Sequence, residues 1–277
     1  MRVIASLFSA SVLSGSVLLG PACVSARAQS AAPATIVSAA SPNVGITPDS
    51  LASVFGQQIS TMREVAPTPW PTRLGDVSVV IVNDSAGNSI GASILFVSPG
   101  QMNIWIPPGV APGPATIAFP VTGLPLGEGA AALRISPVTI QKVAPALFSV
   151  NGTGSGVAAA SAVQITAGSS LVAPIPVFQC DAAGGNCGAV PISLGIDTPV
   201  YLSLYGTGIR GASSLQHVSV TIGNTQIEPT YAGPQPQTPG LDQVNVPLPL
   251  TLRGAGLANV TVTVDGVTSN AVQIDIQ

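Results

Sequence analysis

The chain has 277 residues, of which only 7% are charged, and its formal net charge is −3. Globular proteins typically carry about 25% charged residues, so no basic patch is available to neutralise phosphates and nucleic acid is not expected as a partner. Its 30 glycines and 26 prolines would permit disorder, but abundant Val, Ile and Leu in alternating runs argue for packed β structure.

Residues 1–28 read as a secretory leader. Arg2 supplies a basic start, Val3 to Leu19 is apolar, and Ala26-Arg27-Ala28 fits a small-x-small cleavage site that would leave Gln29 as the mature N-terminus. The apolar stretch is broken by Ser and Gly and ends at Gly20-Pro21, so no membrane span is expected in the mature chain. The competing reading is a lipoprotein anchored through Cys23, which Ala22 suits and Gly20 and Pro21 do not. Residues 29–40 are rich in Ala, Ser and Pro and read as a tether.

From there the signals are those of an all-β protein, with one sandwich expected over 41–142 and a second over 143–277. The first has predicted strands at Leu51–Phe55, Asp76–Asn83, Ala92–Val97, Gln101–Ile106, Ala115–Val121 and Ala131–Ile140, with a turn at Asp84-Ser85-Ala86-Gly87-Asn88. Val143-Ala144-Pro145 marks the hinge. The second has strands at Ala146–Val150, Val200–Tyr205, Val218–Ile222, Gln226–Tyr231, Gln243–Leu248, Val260–Val264 and Val272–Ile276, and Asp265-Gly266 is a hairpin signal between the last two. No segment offers a capped amphipathic helix of three turns.

Cys180 and Cys187 form a close pair around turn-forming residues, which in an exported chain reads as a disulfide closing a hairpin. In the chain-entropy model so small a loop contributes on the order of 2–3 kcal/mol. A zinc site joined by His217, the only histidine, would lack a fourth ligand, so no metal is expected.

Three segments recur in the same order at an offset of roughly 140–150 residues, the pattern of a duplicated unit. Gln101-Met102-Asn103-Ile104 returns as Gln243-Val244-Asn245-Val246, Val77-Ser78-Val79 as Val218-Ser219-Val220, and Leu51-Ala52-Ser53-Val54-Phe55-Gly56 as Tyr201-Leu202-Ser203-Leu204-Tyr205-Gly206. Strand alternation turns Met102, Ile104 and Ile106, or Val244, Val246 and Leu248, into the core. Gln101, Asn103, Gln243 and Asn245 then face the other way, where their amides are expected to tie the preceding Pro/Gly loop to the strand.

Tyr201 to Ile209, Val218 to Gly223 and Val262 to Asn270 resemble immunoglobulin-like modules of the IPT/TIG type. Across residues 35–277, Ile36-Val37-Ser38-Ala39-Ala40, Pro71-Thr72-Arg73-Leu74-Gly75, Val97 to Asn103 and Val143 to Phe148 resemble the Solibacter C-terminal domain family of uncharacterised exported bacterial proteins. The resemblance implies tandem immunoglobulin-like sandwiches on the bacterial cell surface or in the secretome. It implies no catalytic residue.

Gly206-Thr207-Gly208-Ile209-Arg210-Gly211 matches G-x-G-x-x-G after a strand, but a dinucleotide site needs a following helix and Ala212 to Gln216 is too short for one; a glycine turn at a sheet corner is expected and no cofactor. Any Ser-His-Asp triad is restricted to His217, and no G-x-S-x-G occurs. Trp70, Trp105 and Tyr231 are the candidate rings for stacking a sugar, with Asn and Gln as bonding partners, although they also suit the covering of sandwich ends. The expected function is a non-catalytic structural or interaction module whose partner is an extracellular protein or glycan. A carbohydrate-binding module is the alternative, and a hydrolase the distant one.

Overall fold

The computed structural model describes residues 32–121, 132–166, 172–182 and 184–277. The leader, its cleavage site, Cys23 and residues 29–31 lie outside the described residues; the expected tether over 29–40 is corrected, because Thr35–Ser38 pairs antiparallel with Leu51–Phe55 as part of a sheet. Within them the structure is all-β, built from several antiparallel sheets, and the only helices are single 3₁₀ turns at Leu215–His217 and Leu250–Leu252. No helix among the described residues is long and apolar enough to cross a membrane.

The first half contains β1 (Thr35–Ser38), β2 (Leu51–Phe55), β3 (Glu64–Val65), β4 (Ile81–Asn83), β5 (Ser89–Gly91), β6 (Ser93–Val97), β7 (Gln101–Trp105), β8 (Gly113–Pro120) and β9 (Leu133–Ile140). They form one sheet in the order β1-β2-β7-β6-β3 and another in the order β5-β4-β8-β9. Ala52, Val54, Met102 and Ile104 from the first sheet share a buried cluster with Val82, Ile117, Phe119 and Ile140 from the second, so the sheets pack face to face.

The second half contains β10 (Ala146–Leu147), β11 (Ala160–Ile165), β12 (Val172–Ile175), β13 (Phe178–Cys180), β14 (Cys187–Ala189), β15 (Val200–Thr207), β16 (Val218–Ile222), β17 (Thr225–Ile227), β18 (Tyr231–Pro234), β19 (Asp242–Leu248), β20 (Gly256–Val264), β21 (Val267–Thr268) and β22 (Val272–Ile276). One sheet runs β12-β11-β15-β19-β18, with β10 also on β15; the other runs β17-β16-β20, with β21 and β22 along the far side of β20. Leu202, Leu204, Val244 and Val246 meet Val220, Ile222, Val260, Val262 and Ile274 in a second buried cluster. The order β1-β2-β7-β6 thus returns as β11-β15-β19-β18, and two of the three recurrent segments fall on equivalent strands, Leu51–Phe55 with Val200–Thr207 and Gln101–Trp105 with Asp242–Leu248; Val77-Ser78-Val79 lies outside any strand, whereas Val218-Ser219-Val220 begins β16. Asp265 and Gly266, both at positive φ, turn β20 into β21, a short strand not predicted, so the hairpin expected between Val260–Val264 and Val272–Ile276 closes on Val267–Thr268 and Val272–Ile276 pairs with the start of β20. β13 and β14 form the hairpin closed by the Cys180–Cys187 disulfide.

Three predicted strands are shorter or broken. In place of Asp76–Asn83, only Ile81–Asn83 is strand. The Asp76 carboxylate accepts from the Ser60 hydroxyl, from Thr61 N at 2.8 Å and from Thr61 Oγ1 at 2.7 Å, and Leu74 pairs with Val77 across the intervening turn. The run Gln226–Tyr231 is divided between two sheets, because Pro229 has no N–H to continue a ladder. The strand from Ala146 stops at Leu147, although Phe148 N still donates to Tyr205 O at 3.0 Å.

Candidate functional site

Alternation along β7 buries Met102 and Ile104 completely and turns Gln101 and Asn103 to the outer face of the sheet, half-buried. Ser53 of β2 lies opposite Asn103, and Phe55 opposite Gln101. The Ser53 hydroxyl donates to Asn103 Oδ1 at 3.0 Å, and Gln101 Nε2 donates to the same oxygen at 2.9 Å. In the second half Ser203 lies opposite Asn245; its hydroxyl donates to Asn245 Oδ1 at 2.9 Å, and Gln243 Nε2 does so at 2.7 Å. The same three residue types make the same two bonds in both copies.

The expectation that these amides tie the preceding loop is therefore corrected. Ser98 holds the loop before β7, its hydroxyl accepting from Gln101 N and donating to Gln101 O, both at 3.1 Å. The asparagines instead spend their carbonyl oxygen on two donors from the same face. Asn103 Nδ2, Gln101 Oε1 and their counterparts in the second copy bond no protein group among the described residues. Each ladder thus presents an outward donor beside an outward acceptor.

Aromatic rings flank both ladders in matching register. Phe55 faces Gln101 and Phe96 faces Asn103; Tyr205 faces Gln243 and Tyr231 faces Asn245. Phe55 is 40% exposed and Tyr231 39%. The Tyr205 hydroxyl is 2.9 Å from Ser161 Oγ, and Tyr231 donates to Pro234 O at 2.5 Å, which fixes both rings against the sheet. Tyr201 shares this face, so all three tyrosines of the chain lie on it.

Of the rings singled out in the sequence, Tyr231 belongs to this duplicated set. Trp70 packs half-buried against the first core. Trp105 stands at the junction of the two halves, its Nε1 donating to Asp49 Oδ1 at 2.7 Å. Asp49 also pairs with Arg210, whose Nε donates to Asp242 Oδ1 at 2.6 Å and whose Nη2 donates to Leu241 O at 2.6 Å. Asp242 is fully buried and accepts from Ile209 N at 2.7 Å as well. Leu51 N donates to Thr207 Oγ1 at 2.9 Å beside this network. The junction is thereby pinned by charge-assisted bonds.

Next to it opens a cleft of about 660 Å³, walled by Ser53, Phe55, Gln101 and Asn103 of the first half and by Phe148 and Thr153 of the second. Among the described residues no charged one lines it. The loop carrying Thr153 is seated directly on the first half: a side chain at Gly154, whose φ is +78°, would lie 2.8 Å from Ala40 O and 2.9 Å from Ser41 Cα. Asn270 Nδ2 donates to Gly154 O at 2.7 Å and to Leu147 O at 2.9 Å, holding the loop from behind. The cleft is therefore preformed.

A second chemical constellation surrounds a hollow lined by Lys142, Ser213, His217 and Asp265. The Ser213 hydroxyl donates to Asp265 Oδ1 at 2.5 Å and lies 2.6 Å from His217 Nδ1. In a hydrolytic relay the carboxylate orients the imidazole and the imidazole takes the serine proton. Here the carboxylate holds the serine directly, while Ser213 N donates to both Asp265 oxygens at 3.3 and 3.1 Å, and the imidazole is 64% exposed. The Ser213 hydroxyl bond draws Asp265 below its ordinary range, strengthened by Lys142 and His217. The arrangement ties the β20–β21 turn to the 3₁₀ segment. After Gly206–Gly211 only the three-residue 3₁₀ turn Leu215–His217 follows β15, and no α-helix supplies the pyrophosphate-binding N-terminus of a dinucleotide site. Gly208 has φ +76° and lies tight against the Ala144 carbonyl, as expected of a corner glycine. Among the described residues no group of His, Cys, Asp and Glu could hold a metal ion.

Sequence reasoning passed over Phe55, Phe96, Phe148, Tyr201, Tyr205, Ser53 and Ser203. The period-two argument applied to Gln101 and Gln243 reaches most of them. With Ala52, Val54, Leu202 and Leu204 inside, Ser53, Phe55, Tyr201, Ser203 and Tyr205 must be outside.

No family model and no curated protein matches the chain. Among solved structures it is similar to the Bacteroides ovatus mixed-linkage glucan utilization locus protein SGBP-B, solved in complex with a mixed-linkage heptasaccharide. The identity is 14%, the TM-score is 0.31, and the match covers 84% of this chain and 44% of that one.

Proposed function

We propose that the chain is an exported, non-catalytic binding module whose ligand is a neutral glycan. The observation that carries this reading is the duplicated outer face: a Ser-Gln-Asn ladder with an unspent donor and acceptor, flanked by two aromatic rings, in each half. Vicinal sugar hydroxyls donate and accept together, which suits paired amide groups. The C–H faces of a sugar ring are apolar and suit exposed Phe55 and Tyr231. An uncharged cleft fits a neutral ligand, since a charged one would lose its hydration without gaining a counter-charge. The Cys180–Cys187 disulfide supports an oxidising compartment, in agreement with the leader read in residues 1–28. The ordered motifs resembling exported Solibacter-type proteins support the same location. A glycan array probed with the wild-type chain, Phe55→Ala and Tyr231→Ala tests the reading. Neutral glycans are expected to score, with weaker signals for both variants. Signals confined to acidic glycans, or none, would overturn it.

A further inference from the structure

We propose that the two halves hold one glycan chain between them, in a single site that runs from the first ladder across Phe148 to Tyr205. This rests on the neutral-glycan reading above and goes beyond it by replacing two independent faces with one continuous path.

Phe148 carries the argument. Its ring walls the 660 Å³ cleft that contains the first ladder, and it also walls a second hollow of about 480 Å³ lined by Ala159, Phe178, Tyr205 and Leu241. Phe148 N donates to Tyr205 O, and the pairing of β10 with β15 continues in register to this point, so Phe148 and Tyr205 rise from the same face of the sheet. The path therefore begins on hydrogen-bonding groups from β2 and β7 and passes the Phe148 ring. It ends on the edge of the second face, where Tyr205 stands opposite Gln243. Among the described residues no charged side chain lines either hollow. Each volume lies within the range of a small-ligand pocket of about 300–1,000 Å³, so together they take several sugar units.

A shared site also requires that the halves keep a fixed relation. Arg210 of the second half reaches Asp49 of the first, and the loop around Gly154 is seated on Ala40 and Ser41. Neither contact touches the residues proposed to meet the sugar. Both hold Phe148 over the first ladder, so the ordering entropy of assembling the path is met during folding and not at binding.

The experiment is isothermal calorimetry of the full chain with cello-, xylo-, manno- and galacto-oligosaccharides of two to eight units. For the best series, affinity is expected to rise about tenfold or more between the disaccharide and the hexasaccharide, as contacts on both sides of Phe148 become reachable by one molecule. Phe148→Ala is expected to remove that gain, so that within the variant the hexasaccharide binds no more tightly than the disaccharide. Phe148→Leu keeps the apolar volume and should lose the gain as well, which separates stacking from any loss of folding. Binding that does not depend on length, or a gain that survives in both Phe148 variants, would overturn the continuous site and leave the neutral-glycan reading standing. Failure of every series to bind would overturn both.

Discussion

Arg210→Met removes the one cation among the described residues that reaches Asp242. The carboxylate of Asp242 has no exposed surface, and burial pushes its pKa up even though Arg210 and the backbone N–H groups of Ile209 and Arg210 pull it down. Without the guanidinium it keeps only those two backbone donors, at 2.7 and 3.2 Å. The Leu241 carbonyl loses its 2.6 Å donor at the same time. Removing one partner of a buried ion pair costs about 3–5 kcal/mol, because an uncompensated charge stays behind. Asp49 adds little, since its side chain is 25% exposed and keeps the Trp105 bond; a pair of that kind contributes about 0–1 kcal/mol. Arg210→Met should therefore lower the unfolding free energy by about 3–5 kcal/mol, and Asp49→Asn by about 1 kcal/mol or less. Arg210→Met/Asp242→Asn should recover part of the loss, since the amide carries no charge to strand. Urea denaturation followed by tryptophan fluorescence measures all three, with Trp105 reporting directly on the junction. An Arg210→Met midpoint within error of wild type would refute the claim that this network pins the halves together.

Arg134 should behave in the opposite way. It is 3% exposed, rests over the Phe119 ring at 5.7 Å, and its Nε and Nη1 have no hydrogen-bond partner among the described residues. Arg134→Met should therefore be neutral or stabilising by about 1–3 kcal/mol in the same assay, and a clear loss would show that the guanidinium has a partner. Gly208→Ala places a side chain at φ +76° against the Ala144 carbonyl and should cost about 2–4 kcal/mol while creating or removing no nucleotide affinity; saturable NAD binding lost in the variant would contradict the corner-turn assignment. Asp84 is held at about 2 by the Ala111 N–H and the Asn88 side chain, and Asp76 and Asp265 are also lowered from 3.8. A depressed carboxylate contributes stability above its unfolded value of 3.8 and loses it as the pH falls through the folded value, so stability should decline from about pH 4 towards pH 2. Asp242, raised by burial, works in the reverse sense above 3.8, which makes Asp84→Asn the clean comparison: the variant should show a shallower acid decline, and an unchanged slope would contradict the assignment.

The architecture was legible because the strands repeat with period two and the segments return in order. Met102, Ile104, Val244 and Val246 could be placed in the core from alternation alone, and they are fully buried. The outer faces of β7 and β19 were legible in the same way, but the partner of Asn103 was not. Ser53 lies 50 residues away in sequence, and only the pairing of β2 with β7 brings its hydroxyl to the amide. Phe148 was less accessible still, because its significance depends on which side of the first half the second comes to rest. Trp105 illustrates the limit of composition arguments. An indole beside Gln101 and Asn103 looked like a stacking platform, yet Asp49 takes its N–H at the junction, and Phe55 flanks the ladder on the side that opens to the cleft. The strand expected at Asp76–Asn83 failed because the Asp76 side chain bonds Ser60 and Thr61, a tertiary commitment that β propensity does not register.

The most direct test of the central claim is affinity electrophoresis through gels containing neutral polysaccharides, comparing the wild type with Asn103→Ala/Asn245→Ala. Each substitution removes two half-exposed hydrogen bonds and should cost only about 1 kcal/mol, so the double variant stays folded. The wild type is expected to be retarded by at least one neutral polysaccharide, equally at low salt and in 0.5 M sodium chloride, and the double variant to run unretarded with its melting transition intact. A wild type that no neutral polysaccharide slows, or a double variant that is slowed as much as the wild type, would contradict it.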